Sequence, residues 1–202
     1  MNKFKKTAEL GDEDSSKFLE IKLPMERFGD FAKVVNTLSV EEFVEQFPHP
    51  IFLFSEKPGD LSGFMHTQLV DAVQGVPAID RFSSRLKDFF VLLPSAKTSK
   101  SFPQKAFIGR DSRRDFQIAH LTVSNRHACI LQDESQTEWR LADSGSTNGT
   151  QVRGKRLTAG EPMTIHDGDV ITFGKVNFLF FSPRGAYRFM KQYLMFQAAL
   201  RK

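Results

Sequence analysis

Cysteine is almost absent: the 202-residue chain has one, Cys129. A single thiol excludes an internal disulfide framework and a cysteine-based metal centre. Cys129 stands in an apolar run, where a small core residue is expected rather than a reactive thiol. Long apolar runs are missing too, and none approaches the roughly 18 residues that would span a bilayer. The start, Met1 to Asp14, is basic and then acidic with no apolar stretch behind the charges, so no secretory leader is expected. With the scarce cysteine, this suggests the cytoplasm. His49 lies between two prolines and His66 near Asp71, and neither has a second ligand at metal spacing, so no metal is assigned. No phosphate-cradling Gly-rich loop of the Walker type, nucleophile elbow or His-Glu-x-x-His pattern occurs. No catalytic residue and no cofactor is therefore assigned.

Hydrophobic residues make up 40% and charged residues 26%, which places the chain among ordinary globular proteins rather than disordered ones. Tyrosine (2) and tryptophan (1) are rare against 21 phenylalanines, which implies a phenylalanine-rich core. The net charge of +4 is not spread evenly. Residues 1–101 carry 13 Lys/Arg against 15 Asp/Glu, residues 102–182 carry 10 against 9, and residues 183–202 carry 5 against none. The excess sits in the tail. A nucleic-acid footprint would need a basic face on the folded body, and nothing here requires one.

In the N-terminal half, residues 1–22 are polar and partly mobile by composition. Apolar residues at Phe28, Phe31, Val34, Val35 and Leu38 have helical spacing. Ser39-Val-Glu-Glu42 is a capping box opening a helix with Phe43, Val44 and Phe47 on one face, which stops at Pro48. Ile51–Phe54 is a short apolar strand or buried segment. Phe64–Gln74 looks helical again, and Phe82–Leu93 reads as a helix or a helix-strand piece. Arg81 and Arg85 are best read as a solvated helix face. Residues 95–101 are a small polar linker, so the reading is a mainly helical domain over 23–94 and a boundary near 95–101.

Beyond it the period changes to two. Candidate strands are Lys105–Gly109, Phe116–Ile118, Ala128–Gln132, Glu138–Ala142, Thr150–Val152, Pro162–Ile165, Asp169–Phe173 and Val176–Phe181, separated by Gly-containing turns. Many short strands at close spacing imply a β-sandwich. Asn148-Gly149 is the strongest hairpin signal, because both residues tolerate positive φ. The turn is crowded with hydroxyls from Ser144, Ser146, Thr147 and Thr150, more donors than a turn needs. A site for an oxyanion would look like this.

Four pieces stand in order: Ile108-Gly-Arg110, Val123-Ser-Asn-Arg-His127, Leu141-Ala-Asp143 and Ser146-Thr-Asn-Gly149. They continue through Val152-Arg-Gly154 and Asp167-Gly-Asp-Val-Ile-Thr-Phe-Gly174. Over residues 102–182 this resembles the forkhead-associated (FHA) domain. The resemblance implies an antiparallel sandwich whose loops at one end bind a phosphothreonine peptide. Arg110 would contact the phosphate and Ser124 would hydrogen-bond it. Asn125 would help hold peptide or phosphate, Thr147 would meet the phosphothreonine, and Asn148 would grip the peptide main chain. His127 would brace the loops from beneath. Gly109 and Gly149 would be backbone necessities, and Ser146 would support the turn. A phosphate carries about −1.5 to −2 charge and three acceptor oxygens, so a guanidinium and short hydroxyls suit it. Arg113, Arg114, Arg126, Arg153 and Arg156 would add a positive rim, if they are not simply solvated.

Residues 183–202 read as a basic amphipathic helix with Ala186, Phe189, Met190, Tyr193, Leu194 and Ala198 on one face. It is expected to pack internally rather than on a membrane or a partner. The fold class is thus α+β: a sandwich preceded by a mainly helical region and followed by a helix. The functional expectation is a non-enzymatic adaptor that reads phosphothreonine-containing substrates of a Ser/Thr kinase, with no nucleic acid and no membrane span. One alternative is a phosphate-independent scaffold using the same loops; another is an enzyme in the N-terminal half, for which no catalytic constellation is visible. Phosphorylation of Thr7, Thr37, Thr67 or Thr98 would allow self-association through the same site.

Overall fold

The computed structural model describes residues 26–55, 61, 86–95, 104–133, 135 and 138–200. The readings at Phe64–Gln74, His66, Arg81, Arg85, Thr7, Thr67 and Thr98 fall outside the described residues.

The chain runs β1 (Glu26–Arg27), α1 (Phe28–Phe31), a 3₁₀ turn (Ala32–Asn36), α2 (Val40–Gln46), β2 (Ile51–Phe54) and β3 (Phe90–Leu92). It continues through β4 (Lys105–Gly109), β5 (Phe116–Gln117), β6 (Ala128–Gln132), β7 (Trp139–Asp143), β8 (Thr150–Val152) and β9 (Lys155–Arg156). Then come β10 (Met163–Ile165), β11 (Val170–Phe173), β12 (Val176–Phe181) and α3 (Pro183–Ala199). A seven-stranded sheet has the order β1-β3-β2-β12-β11-β8-β9, and a five-stranded sheet has the order β10-β7-β6-β4-β5. All pairings are antiparallel except β4 with β5. The fold is α+β, as expected.

The boundary near 95–101 needs correcting in one respect. β2 pairs with β12 and β3 pairs with β2, so strands from before residue 95 lie inside the sandwich's larger sheet. The cause is legible in Ile51-Phe-Leu-Phe54, where all four residues are buried. An unbroken apolar run belongs to a strand covered on both faces. Phe52 and Phe54 point into the core between the sheets. Ile51 and Leu53 belong to a second core on the other face. β12 divides in the same way: Phe178 and Phe180 face the first core, Leu179 and Phe181 the second. The phenylalanines are therefore spent on two cores. Around Phe52 alone, Phe116, Phe173, Phe178 and Phe180 have ring centroids at 5.3, 6.3, 6.1 and 5.8 Å.

The second core lies between the larger sheet and a helical layer of α1, the 3₁₀ turn, α2 and α3. The single helix expected around Met25–Leu38 is broken here into a two-residue strand, one α turn and a 3₁₀ turn. The capping box forms as read: Ser39 Oγ accepts from Glu42 N–H and Glu42 Oε2 accepts from Ser39 N–H. The C-terminal helix begins at Pro183 with Ser182 as its N-cap. Its apolar face, with Ala186, Phe189, Met190 and Tyr193 buried, packs internally. Among the described residues no helix is long and apolar enough to cross a membrane. Cys129 is a buried free thiol on β6. His49 is buried edge-on to Phe47, and desolvation lowers its pKa to about 4.

Candidate functional site

Four chain segments meet at one end of the sandwich: Arg110 at the end of β4, the loop from Ile118 to His127, the loop from Ser144 to Gly149, and the Gly174-Lys175 turn between β11 and β12. The first two are joined through the backbone. Arg110 N–H donates to Ser124 O at 2.9 Å and Asp111 N–H to Asn125 O at 3.4 Å. A Cβ at residue 109 would lie 2.4 Å from Asn125 O and 2.9 Å from its carbonyl carbon. Gly109 is thus needed for close approach of two backbones rather than for an unusual φ.

Arg110 is exposed, and its Nε donates to Val123 O at 3.2 Å. The nearby acids that could have claimed it are otherwise engaged. Asp111 binds Arg113, and Asp115 Oδ2 accepts from Phe107 N–H at 2.7 Å. One edge of the guanidinium is fixed, and its terminal amino groups have no partner among the described residues.

Ser124 Oγ accepts from Thr147 N–H at 3.1 Å and donates to Thr147 Oγ1 at 3.3 Å. Two hydroxyls 23 residues apart in sequence therefore share one spot. Asn148 Nδ2 donates to Thr122 O at 2.8 Å, so its amide oxygen remains for an outside donor. Asn125 is exposed and makes its contact here through the backbone. Thr147 and Asn148 are exposed at the loop tip.

His127 lies beneath, fully buried. Its Nδ1 faces the Ser124 N–H at 3.0 Å and its Nε2 faces Gly149 O at 3.1 Å. An amide N–H can only donate and a carbonyl can only accept, so Nδ1 is the bare nitrogen and Nε2 carries the proton. A neutral ring thereby ties the Ser124 loop to the Gly149 turn. Gly149 has φ 83°, which glycine adopts without strain.

Burial holds the His127 pKa below its ordinary value of 6.5, against the raising effects of Gly149 O and Asp143. The folded state thus favours the neutral ring. Its contribution to stability is complete above about 6.5 and is lost as pH falls through the depressed folded value. Melting temperature should be level above that point and decline below it. His49 shifts in the same direction, so the His127 ring signal in NMR provides the assignment. A ring midpoint at or above 6.5 would contradict this account.

Several contributors had no assigned role. Asp143 accepts four hydrogen bonds that shape the 144–149 loop, including those from Gly145 and Ser146 N–H at 2.8 Å each. Ser146 Oγ passes this on by accepting from Gly149 N–H at 2.9 Å, which makes Ser146 a turn support. The signal was present: an aspartate closing a strand just before Ser-Gly-Ser is an Asx-turn pattern. Thr122, His120 and Lys175 had no local signal. Thr122 Oγ1 accepts from Lys175 N–H at 2.9 Å, and Thr122 N–H donates to His120 Nδ1 at 3.2 Å. They hold the carbonyl that orients Asn148. Among the described residues no group of His, Cys, Asp and Glu could hold a metal. Thr37 is exposed on the helical layer, its hydroxyl donating to Val34 O at 2.9 Å.

The sequence model of the FHA domain family matches residues 106–174, the stretch that holds these loops up to Gly174. The chain carries an FHA domain. Among curated proteins it is 36% identical over 90 residues to the ABC transporter ATP-binding/permease protein Rv1747 of Mycobacterium tuberculosis, covering 45% of this chain and 10% of that protein. It is 31% identical over 88 residues to protein phosphatase 2C 70 of Arabidopsis thaliana, covering 40% of this chain and 15% of that protein. The chain therefore spans only a small part of the curated relatives it matches. Among solved structures, Mycobacterium tuberculosis EmbR in complex with a low-affinity phosphopeptide is 29% identical, with a TM-score of 0.35, covering 39% of this chain and 20% of that chain.

Proposed function

We propose that the FHA domain binds phosphothreonine peptides and that the protein is an adaptor reading the products of a Ser/Thr kinase. The observation that carries this is the convergence of Arg110, Ser124 and Thr147. The Arg110 guanidinium is tethered at one edge to Val123 O, and the next residue, Ser124, shares its hydroxyl with Thr147. In this reading Arg110 and Ser124 take the phosphate oxygens and Thr147 lies against the phosphothreonine. Asn148, with its nitrogen already used by Thr122, accepts a peptide N–H through Oδ1. Asn125, exposed beside Ser124, contacts the peptide or phosphate. His127, Ser146, Gly109 and Gly149 keep the loops in place. The loops are braced before any ligand arrives, which limits the ordering cost of binding.

The described part of the N-terminal half supports a structural role for it. Residues 26–54 and 86–92 supply three strands of the larger sheet and part of the layer that covers it. That favours a reader over an enzyme.

Fluorescence anisotropy with one threonine peptide, phosphorylated and unmodified, tests the reading. Binding of the phosphorylated form alone is expected. Equal affinity for both would reject it and leave the phosphate-independent scaffold.

A further inference from the structure

Five arginines near the site look alike in sequence, and their surroundings separate them. Arg113 is held by Asp111, Nη2 to Oδ2 at 2.5 Å. Arg114 lies 3.9 Å from the same carboxylate with its side chain largely covered. Arg126 lies over the Phe107 ring at 5.0 Å, and Arg153 is ion-paired with Asp169. Arg156 alone of the five is exposed with no acid, no side-chain hydrogen-bond partner and no aromatic ring against its guanidinium among the described residues.

Arg156 also lies against the 144–149 loop. It stands opposite Gln151 in the β8–β9 hairpin, and its side chain runs back towards the start of β8. A Cβ at residue 149 would be 2.5 Å from both Cζ and Nη2 of Arg156. The guanidinium therefore fills the space that a side chain at 149 would occupy. It sits against the residue that follows Asn148, and Asn148 follows Thr147.

We propose that Arg156 is a specificity-determining residue that selects an anionic side chain in the sequence flanking the phosphothreonine. This rests on the phosphopeptide reading of the site. Arginine offers a planar fork of donors that matches a carboxylate or a phosphate, and here that fork is free. A peptide held by Asn148 passes beside it. A purely solvated arginine would have no reason to discriminate between neutral and acidic flanks. An aspartate and a second phosphate share the required chemistry, and the second phosphate, with its larger charge, should gain more.

The full-length protein is titrated with a labelled phosphothreonine peptide bearing alanine flanks. It is then titrated with variants in which each neighbouring position in turn carries aspartate or phosphoserine. Wild type should gain about threefold to fivefold in affinity from aspartate at one or two positions, and added salt should erase the gain. Arg156→Ala should abolish the gain while binding the alanine-flanked peptide nearly as well as wild type. Arg156→Glu should transfer the preference to a lysine flank. Full preference surviving in Arg156→Ala, no preference in wild type, or equal loss of affinity for every peptide would each overturn the assignment. The controls separate two failures. If phosphorylated and unmodified alanine-flanked peptides bind alike, the reading of the site fails. If they differ but flanking acids do nothing, only the role of Arg156 fails.

Discussion

Replacing Arg110 by alanine is expected to weaken phosphothreonine-peptide binding by about tenfold to a hundredfold, the factor that corresponds to losing one charge-assisted hydrogen-bonding partner. The size follows from how little else could substitute. Ser124 and Thr147 offer neutral hydroxyls already bonded to one another, and Arg113 and Arg153 are committed to Asp111 and Asp169. Fold stability should barely change, because Arg110 is exposed and its side chain makes one bond, Nε to Val123 O at 3.2 Å. Arg110→Lys separates charge from geometry. Lysine keeps the charge but loses the planar fork and the tether, so it should recover only part of the affinity. Isothermal titration at fixed ionic strength measures both variants. Affinity within twofold of wild type for Arg110→Ala, with a correctly folded protein, would remove Arg110 from the proposed phosphate site.

The legible and illegible parts of this molecule differ for physical reasons. Lys105–Gly109, Ala128–Gln132, Thr150–Val152 and Val176–Phe181 were readable to the residue, because period-two patterning and Gly turns are local signals. β9 is not among the expected strands: Lys155-Arg156 is exposed on both residues and is a strand only because it pairs with β8. Ile51–Phe54 could be read as a strand but not placed, since its partner β12 is more than a hundred residues away and apolar runs carry no register. The resemblance pointed to Arg110, Ser124 and Thr147. It could not show that Asn148 is oriented by Thr122, or that Thr122 is held by the Lys175 amide. Each link joins a side chain to a backbone group of another loop, and a backbone group leaves no trace in residue identity. The five arginines make the same point from the other side. Their identities were visible, but only the positions of Asp111, Phe107 and Asp169 show which one is left free.

Replacing Asp143 by alanine should cost more stability than any other single change at this end of the sandwich, on the order of 3 kcal/mol. Asp143 is 4% exposed, and burial by itself would favour its neutral form. Hydrogen bonds from Ser146, Thr150 and Gly145 outweigh that and keep the carboxyl below its ordinary range. Oδ1 takes the Gly145 and Ser146 amides, and Oδ2 takes the Ser146 and Thr150 hydroxyls at 2.6 Å each. Alanine would strand two backbone donors and two hydroxyls. It would also free Ser146 Oγ, the acceptor that holds Gly149 N–H. The loss stays below the sum of its parts because a loosened 144–149 loop can turn to water. That relaxation is what should harm binding, since Thr147 and Asn148 sit at the tip of the loop. Urea unfolding measures the first effect and peptide anisotropy the second. Asp143→Asn preserves the shape while replacing one acceptor oxygen with a donor, so it should fold, melt between wild type and alanine, and still bind phosphopeptide more weakly. The stabilisation should be present above the ordinary carboxylate value of 3.8 and fade as pH falls through the lower folded value. An Asp143→Asn protein that binds phosphopeptide as wild type does would show that the four hydrogen bonds support the fold without shaping the site.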